Sequence, residues 1–341
     1  MGTSHARAYH AMPDDFQIVG LVSRGPSRQR LNAEFGNRYT EFDDFATALA
    51  ETTPSAVCIS SYTETHAAFA IAAMEAGAHV FLEKPIAGTG ADAERVVSTA
   101  RQRRRALAVG YILNVHPAWQ RFTEIARGLG SPLVMRMNLN QQSAGPAWDT
   151  HRQLLRTTSP IVDCGVHYVD VMCRMTGARP VAVTGIGARL SDDIAPGQVN
   201  YGHLQVVFAD GSVGWYEAGW GPMMSETAYF VKDVIGPKGS VSIVAADASG
   251  SASLDTHTRA DVLRLHHAAL DPDGTFARSD EILEAGDTPD HDTLCRLEQQ
   301  LFRDAIRDGR DLGDHWQRAC DSLRIVLGAD QSFRERRTID L

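Results

Sequence analysis

The sequence lacks what several protein classes require. No run of about 18 consecutive apolar residues occurs among its 341 residues, so a helical membrane span is not expected. The N-terminus has no apolar signal region. The five cysteines, Cys58, Cys164, Cys173, Cys295 and Cys320, are odd in number and include no C-x-x-C pair. Neither a zinc ribbon nor a complete disulfide framework fits them. Cys58 sits in an apolar run and reads as a core residue. A reducing, cytoplasmic compartment is the simplest expectation. Net positive charge is missing as well: 33 Lys+Arg against 42 Asp+Glu leaves −9. Such a chain lacks the phosphate attraction on which nucleic-acid binding rests. The basic run Arg101-Gln102-Arg103-Arg104-Arg105 follows a helical pattern and reads as a solvated helix end, where cations favour the dipole. The expected partners therefore include neither nucleic acid nor membrane.

What is present is the composition of an ordinary globular protein, 43% hydrophobic and 22% charged. At about 150 residues per domain the length suggests about two. The first third alternates short apolar strands (17–22, 56–60, 79–82, 106–109) with helical patterns at 26–35, 64–76 and 91–105. Strands separated by helices predict right-handed crossovers and a parallel sheet covered on both faces. From about Leu133 the segments 134–141, 181–187, 203–208, 213–220, 228–235 and 240–244 alternate instead. Tight turns at Ala209-Asp210-Gly211-Ser212 and Gly236-Pro237-Lys238-Gly239 predict an antiparallel sheet. Residues 246–290 read as loop-heavy, and helices are expected at 294–308 and 316–333. The expected fold class is α/β plus α+β, with a dinucleotide-binding domain over 1–115 and a substrate and oligomerisation domain over 116–341.

The most informative segment is a helix expected over 160–176, with Ser159 as N-cap, Pro160 in the first position and Gly177 as terminator. At about 100° per residue, His167, Asp170 and Arg174 all fall within about 40° of Asp163. The remaining circumference is mainly Val, Ile and Met, as in a buried helix. Its polar stripe must face either water or an internal cleft. No His-rich partner motif elsewhere supports a metal there. A second constellation, Phe81-Leu82-Glu83-Lys84-Pro85, follows a parallel strand, at the end where doubly wound folds bind ligands. Lys84 can donate to a substrate oxygen. Trp215, Tyr216 and Trp220 read as core or subunit interface.

Glu83-Lys84-Pro85 followed by Asp163-x-Gly165-x-His167-x-x-Asp170 resembles the glucose–fructose oxidoreductase / inositol dehydrogenase (Gfo/Idh/MocA) family. The stretch from Ser60-Ser61-Tyr62-Thr63-Glu64-Thr65-His66 through Gly77-Ala78-His79-Val80, and the C-terminal Phe302–Arg310 segment, extend the likeness along the chain. The resemblance implies a Rossmann-type domain followed by an open-faced, mainly antiparallel sheet. It implies Lys84, Asp163 and His167 as catalytic residues, with His167 as general base and Lys84 polarising the reacting oxygen. It implies a cofactor site of Gly2, Ser23, Arg24, Ser60, Ser61, Tyr62, His66, Glu83 and Lys84. The substrate site is expected at Asn114, Trp148, Arg152, Asp163 and His167, with structural packing as the alternative for Asn114 and Trp148.

Two departures stand out. Of the family's apolar strand and glycine-rich turn, this chain begins at Met1-Gly2-Thr3-Ser4-His5-Ala6, keeping only the last glycine. The expectation is a start site assigned too late, with a cofactor-poor remnant as the alternative. Where NAD-preferring members carry an acid after the second strand, this chain has Ser23-Arg24, which suit a 2′-phosphate; NADP is expected, with NAD as alternative. In addition, Ser159-Pro160 stands where a Gly-Gly is common in the family. The implied activity is oxidation of a secondary alcohol of a sugar, cyclitol or related polyol by a homodimer or homotetramer. The competing functions are NAD-dependent glycoside hydrolysis and non-catalytic dinucleotide binding.

Overall fold

The computed structural model describes residues 1–225, 231–244, 260, 262–284 and 288–341. They fall into two compact units, residues 1–112 with 290–320, and residues 113–289 with 321–341. The sequence suggested one boundary near residue 115; the compact units also divide at 290 and 320.

The first unit begins with helix α1 (Gly2–His10), then β1 (Leu21–Val22), α2 (Ser27–Glu34), β2 (Glu41–Phe42) and α3 (Phe45–Thr52). It continues with β3 (Ala56–Ile59), α4 (Thr63–Glu75), β4 (His79–Glu83), α5 (Gly90–Arg103) and β5 (Leu107–Gly110). All strand pairs are parallel, as the βαβ alternation requires. They form two sheets, β1–β2 and β3–β4–β5. The strand expected over 17–22 is confined to Leu21–Val22, because only those two residues pair with β2. Thr89 caps α5, accepting from the Asp92 N–H, and the helix stops at Arg104 in the left-handed conformation, inside the basic run. Helix α10 (His291–Asp308), capped by Asp290, packs on α1, with Phe302 against Phe81 and Ala108.

The second unit carries α6 (Pro117–Gly128), β6 (Val134–Gln142), α7 (Gly145–Leu154), α8 (Pro160–Asp163) and α9 (Gly165–Thr176). After these come β7 (Pro180–Ala188), β8 (Tyr201–Phe208), β9 (Val213–Gly221), β10 (Lys232–Gly236) and β11 (Gly239–Val244). β12 (Val262–His267), β13 (Glu281–Glu284) and β14 (Ile339–Asp340) complete a nine-stranded sheet in the order β13-β12-β11-β10-β6-β9-β8-β7-β14. Among its described strands only β6–β9 is a parallel pair. The start of the strand expected at 228, and much of the expected loop region 246–290, lie outside the described residues. Alternate residues of β6, β8 and β9 (Met135, Met137, Leu204, Val206, Tyr216, Ala218) are fully buried. α8 and α9 pack on β9, and α6 packs on α9. Gly185 on β7 admits no side chain, since a Cβ there would stand 2.2 Å from the Ala329 carbonyl oxygen. The last helix, α11 (Gly313–Glu335), contributes residues to both units.

The helix expected over 160–176 is two helices, joined at Cys164. The ladder tightens there: the His167 N–H bonds the Cys164 carbonyl, three residues back instead of four. Ser159 caps α8, its Oγ accepting from the Val162 N–H at 3.2 Å and donating to Asp330 at 2.8 Å.

Candidate active site

In the first unit the site residues gather where the chain leaves the ends of its parallel strands. β4 lies between β3 and β5, and Glu83-Lys84-Pro85 closes it. Glu83 is buried and Lys84 half-buried. The Glu83 Oε2 accepts from the Lys84 backbone N–H at 3.1 Å, and its Oε1 lies 2.6 Å from His5 Nε2. His66 is 1% exposed, with Nδ1 2.8 Å from the Pro85 carbonyl and Nε2 3.0 Å from that of Ser61. It joins the loop after β3 to the loop after β4, with both ring nitrogens engaged on backbone.

The other expected cofactor residues stand on neighbouring strand ends. Gly2 opens α1, where a Cβ would come within 2.5 Å of Ser60 Oγ, so a side chain there would push the Ser60 hydroxyl aside. α1 has no side-chain cap, leaving first-turn N–H groups of the kind that hold a pyrophosphate. This end of the unit thus fits a dinucleotide. Ser61 bonds Thr65 at 2.6 Å, and Tyr62 is exposed at the start of α4. Ser23 and Arg24 follow β1 directly, with Arg24 exposed and Ser23 Oγ 3.1 Å from Ser27 Oγ. Sequence reasoning missed the residue behind them. Arg28 is buried and donates to the Ser23 and Phe42 carbonyls and to Glu41, and pairs with Asp43. It clamps the turn that presents Ser23-Arg24.

Sequence reasoning also missed Glu298 and Gln299, on the inner face of α10. Burial, and then the charge of Glu83, hold the Glu298 carboxyl well above the usual carboxylate range. The donor atoms of His5, Cys295 and Glu298 lie within 4.8 Å of one another. His5, however, has one ring nitrogen on Glu83 and the other on Gln299, so it cannot offer a metal ligand without losing one of these bonds.

In the second unit the polar stripe divides between two surroundings. Asp170 is fully buried and accepts from Asn114 Nδ2 at 2.8 Å; Arg174 donates to Asn114 Oδ1 at 3.3 Å. That half of the stripe is a structural anchor, and Asn114 is its partner. Asp163 and His167 are half-exposed on the α8–α9 pair. A wall missed in the sequence lies nearby: the His151 ring stacks on Trp220 at 4.6 Å and 8°, with His151 Nδ1 2.9 Å from Ser143 Oγ. Burial lowers the His151 pKa, and the charge of Asp163 opposes that. Trp220 Nε1 donates to Gln141 at 2.7 Å, and Cys164 Sγ lies 3.4 Å from the same Gln141 oxygen. Trp148 is buried with Nε1 3.4 Å from Asp193. Arg152 pairs with Asp149 and lines an open cavity of about 530 Å³ with Arg156, Asp193 and Gln198. A period-3.6 reading of α8–α9 cannot reach this wall, because its residues come from β6, α7 and β9.

Residues 1–111 match the model described as "Oxidoreductase family, NAD-binding Rossmann fold", and residues 125–242 match the "GFO/IDH/MocA C-terminal domain". The chain is 31% identical over 196 residues to the UDP-N-acetylglucosamine 3-dehydrogenase of Acidithiobacillus ferrooxidans, covering 57% of each protein. It is 26% identical over 296 residues to the scyllo-inositol 2-dehydrogenase (NAD(+)) of Bacillus subtilis, covering 84% of this chain and 77% of that one. The chain spans about half the length of several curated relatives, such as 49% of the inositol 2-dehydrogenase of Acidothermus cellulolyticus. An oxidoreductase domain protein from Kribbella flavida has the same fold, with a TM-score of 0.78 at 22% identity over 100% of this chain and 96% of that one.

Proposed function

Since the chain belongs to the Gfo/Idh/MocA oxidoreductase family, we propose that it is an NAD(P)-dependent dehydrogenase acting on a secondary alcohol of a sugar, cyclitol or related polyol. The carrying observation is the state of the polar stripe. Asp170 is withdrawn into a bond with Asn114, while Asp163 and His167 stay half-buried on the α8–α9 pair near the His151–Trp220 wall. A buried anchor with a half-buried outer pair suits a site that must bind hydroxyl groups and move a proton.

The nicotinamide, when bound, supplies the acceptor for the hydride. The chain supplies position and proton handling. Neutral His167 takes the hydroxyl proton as the C–H bond breaks, and Asp163 orients the ring or accepts a neighbouring hydroxyl. The family resemblance assigns Lys84 to polarise a substrate oxygen. Ser23 and Arg24, held by Arg28, favour NADP over NAD. The relatives' substrates, an inositol and a nucleotide-linked sugar, set the panel to screen: full-length protein with NADP or NAD, following reduced-cofactor absorbance. No turnover on any polyol with either cofactor overturns this reading.

Assembly as a homodimer or homotetramer through the sheet is part of the proposal. Val207, Val213, Val134 and Ile235 are exposed and directly opposite one another across β8, β9, β6 and β10, a continuous apolar row. Light scattering on Val213→Glu is expected to report monomer where the parent reports an oligomer. A monomeric parent ends this part of the proposal.

A further inference from the structure

Three elements distant in sequence meet in one buried hydrogen-bonded chain. His5 and Gln299 are fully buried, and Glu83 is 5% exposed. Tyr9 on α1 donates its hydroxyl to Gln299 Oε1. Gln299 Nε2 stands 2.9 Å from His5 Nδ1, and an amide nitrogen only donates. His5 Nδ1 is therefore the acceptor and Nε2 carries the hydrogen. That N–H points at Glu83 Oε1, 2.6 Å away. Glu83 Oε2 accepts from the backbone N–H of Lys84. Each group's role is set by the one before it, from a tyrosine on α1 to the peptide carrying the lysine.

We propose that His5 and Gln299 are positioning residues for Lys84. Through Glu83 they hold the Glu83–Lys84 peptide in one orientation and so fix where the ammonium group is presented. This inference rests on the reading above that Lys84 serves the substrate oxygen. A water-excluded chain is suited to the task, because its bonds are not exchanged for bonds to solvent. The neighbouring Glu298 completes the arrangement. Burial and the charge of Glu83 push the Glu298 carboxyl well above the usual range, while two donors, His5 and the Lys84 N–H, converge on Glu83.

A direct reading of Lys84 is practical because the chain has only three lysines, Lys84, Lys232 and Lys238. Lys238 is exposed on the β10–β11 turn and Lys232 is buried, so Lys238 serves as an internal standard. The full-length protein and its His5→Leu, Gln299→Leu and His5→Gln variants are acetylated with acetic anhydride across the alkaline range. The Lys84/Lys238 ratio is read by peptide mass spectrometry, and kcat and KM are measured on the polyol panel. Both leucine variants are expected to change the ratio several-fold and to lower kcat by about 10²-fold, the scale of a small misplacement, with less change in KM. His5→Gln, whose amide can place an N–H toward Glu83, is expected to recover most of both. If His5→Leu does not fold, Gln299→Met carries the same test by removing the donor at similar volume. A ratio equal to the parent's in every folded variant overturns the inference, even where kcat falls. A changed ratio in a protein that oxidises no polyol supports the positioning role and overturns the functional reading instead.

Discussion

The two units solve the problem of holding a site in opposite ways. In the second unit the described residues form one nine-stranded sheet, with Met135, Met137, Leu204, Val206 and Tyr216 packed inside. Apolar burial holds most of that scaffold, and Asp163 and His167 stand half-buried on α8 and α9. In the first unit five short strands are divided between two sheets, and the interior beside β4 contains His5, Glu83, Glu298 and Gln299. There the polar groups are part of the scaffold. Non-directional packing tolerates volume-conserving change, whereas a buried polar chain fails when one partner is removed. Single polar substitutions beside β4 should therefore be felt in the first unit's fold as well as its chemistry, whereas those at the half-buried positions of α8 and α9 should be felt mainly in chemistry.

The largest expected effect belongs to the chemistry of the second unit. His167→Ala removes the proposed base from a half-buried position and should lower kcat by about 10²- to 10⁴-fold. Thermal stability and cofactor affinity should stay near those of the parent. Stopped-flow turnover, differential scanning fluorimetry and cofactor titration check this. A large stability loss with preserved turnover would reverse the contrast between the units.

Next in size is a pair of opposed pH dependences. Folded Glu298 keeps its proton well above the carboxylate range, whereas unfolded it releases it near pH ~4.3. Above that pH the folded state binds more protons than the unfolded one. The stability Glu298 contributes is thus full at low pH and lost as pH rises toward its raised pKa, by at most about 1.4 kcal/mol per pH unit. Lys232 runs the other way, because burial lowers its pKa to about 7. Unfolded, it titrates near ~10.4, so its contribution is full above that value and is lost as pH falls toward about 7. Hydrogen exchange read separately on α10 and β10 should show protection falling with pH in the first and rising in the second, after correction for intrinsic exchange. Glu298→Gln and Lys232→Met should each flatten their own slope. Slopes of the same sign would remove the distinction.

The same contrast explains how much was legible in the sequence. The alternation of apolar runs with helical segments exposed the βαβ order, and the turns at 209–212 and 236–239 marked the antiparallel strands, because these signals are local. The stripe from Asp163 to Arg174 was legible for the same reason. Its division was not: Asp170 turns inward because Asn114 stands opposite it, a pairing 56 residues apart. The break at Cys164 is a one-residue change in the hydrogen-bond ladder, below the resolution of a period. His5 was legible only as part of the Gly2–Ala6 segment, and Glu298 and Gln299 carried no local sign, since polar residues in an amphipathic helix read as ordinary positions. Only the meeting of α1, β4 and α10 makes them a chain. The His151–Trp220 stack was hidden likewise, its residues lying 69 positions apart on a helix and a strand.

The smallest effect concerns cofactor choice, on two arginines four residues apart. Arg28 is buried and bonds the Ser23 and Phe42 carbonyls. Arg28→Ala should lower the melting temperature and weaken both cofactors together, because the turn itself loses its support. Arg24 is exposed just beyond β1 and supports none of the turn's observed hydrogen bonds. A guanidinium contact to a 2′-phosphate at such a position is worth about tenfold in affinity, the scale of one charge-assisted bond. Arg24→Ala should therefore weaken NADPH about tenfold while leaving NADH affinity and melting temperature unchanged, as read by fluorescence titration of both nucleotides. Equal losses for the two would place Arg24 beside the scaffold arginine and make the turn blind to the phosphate. A parent that prefers NADH tenfold would remove the NADP assignment altogether.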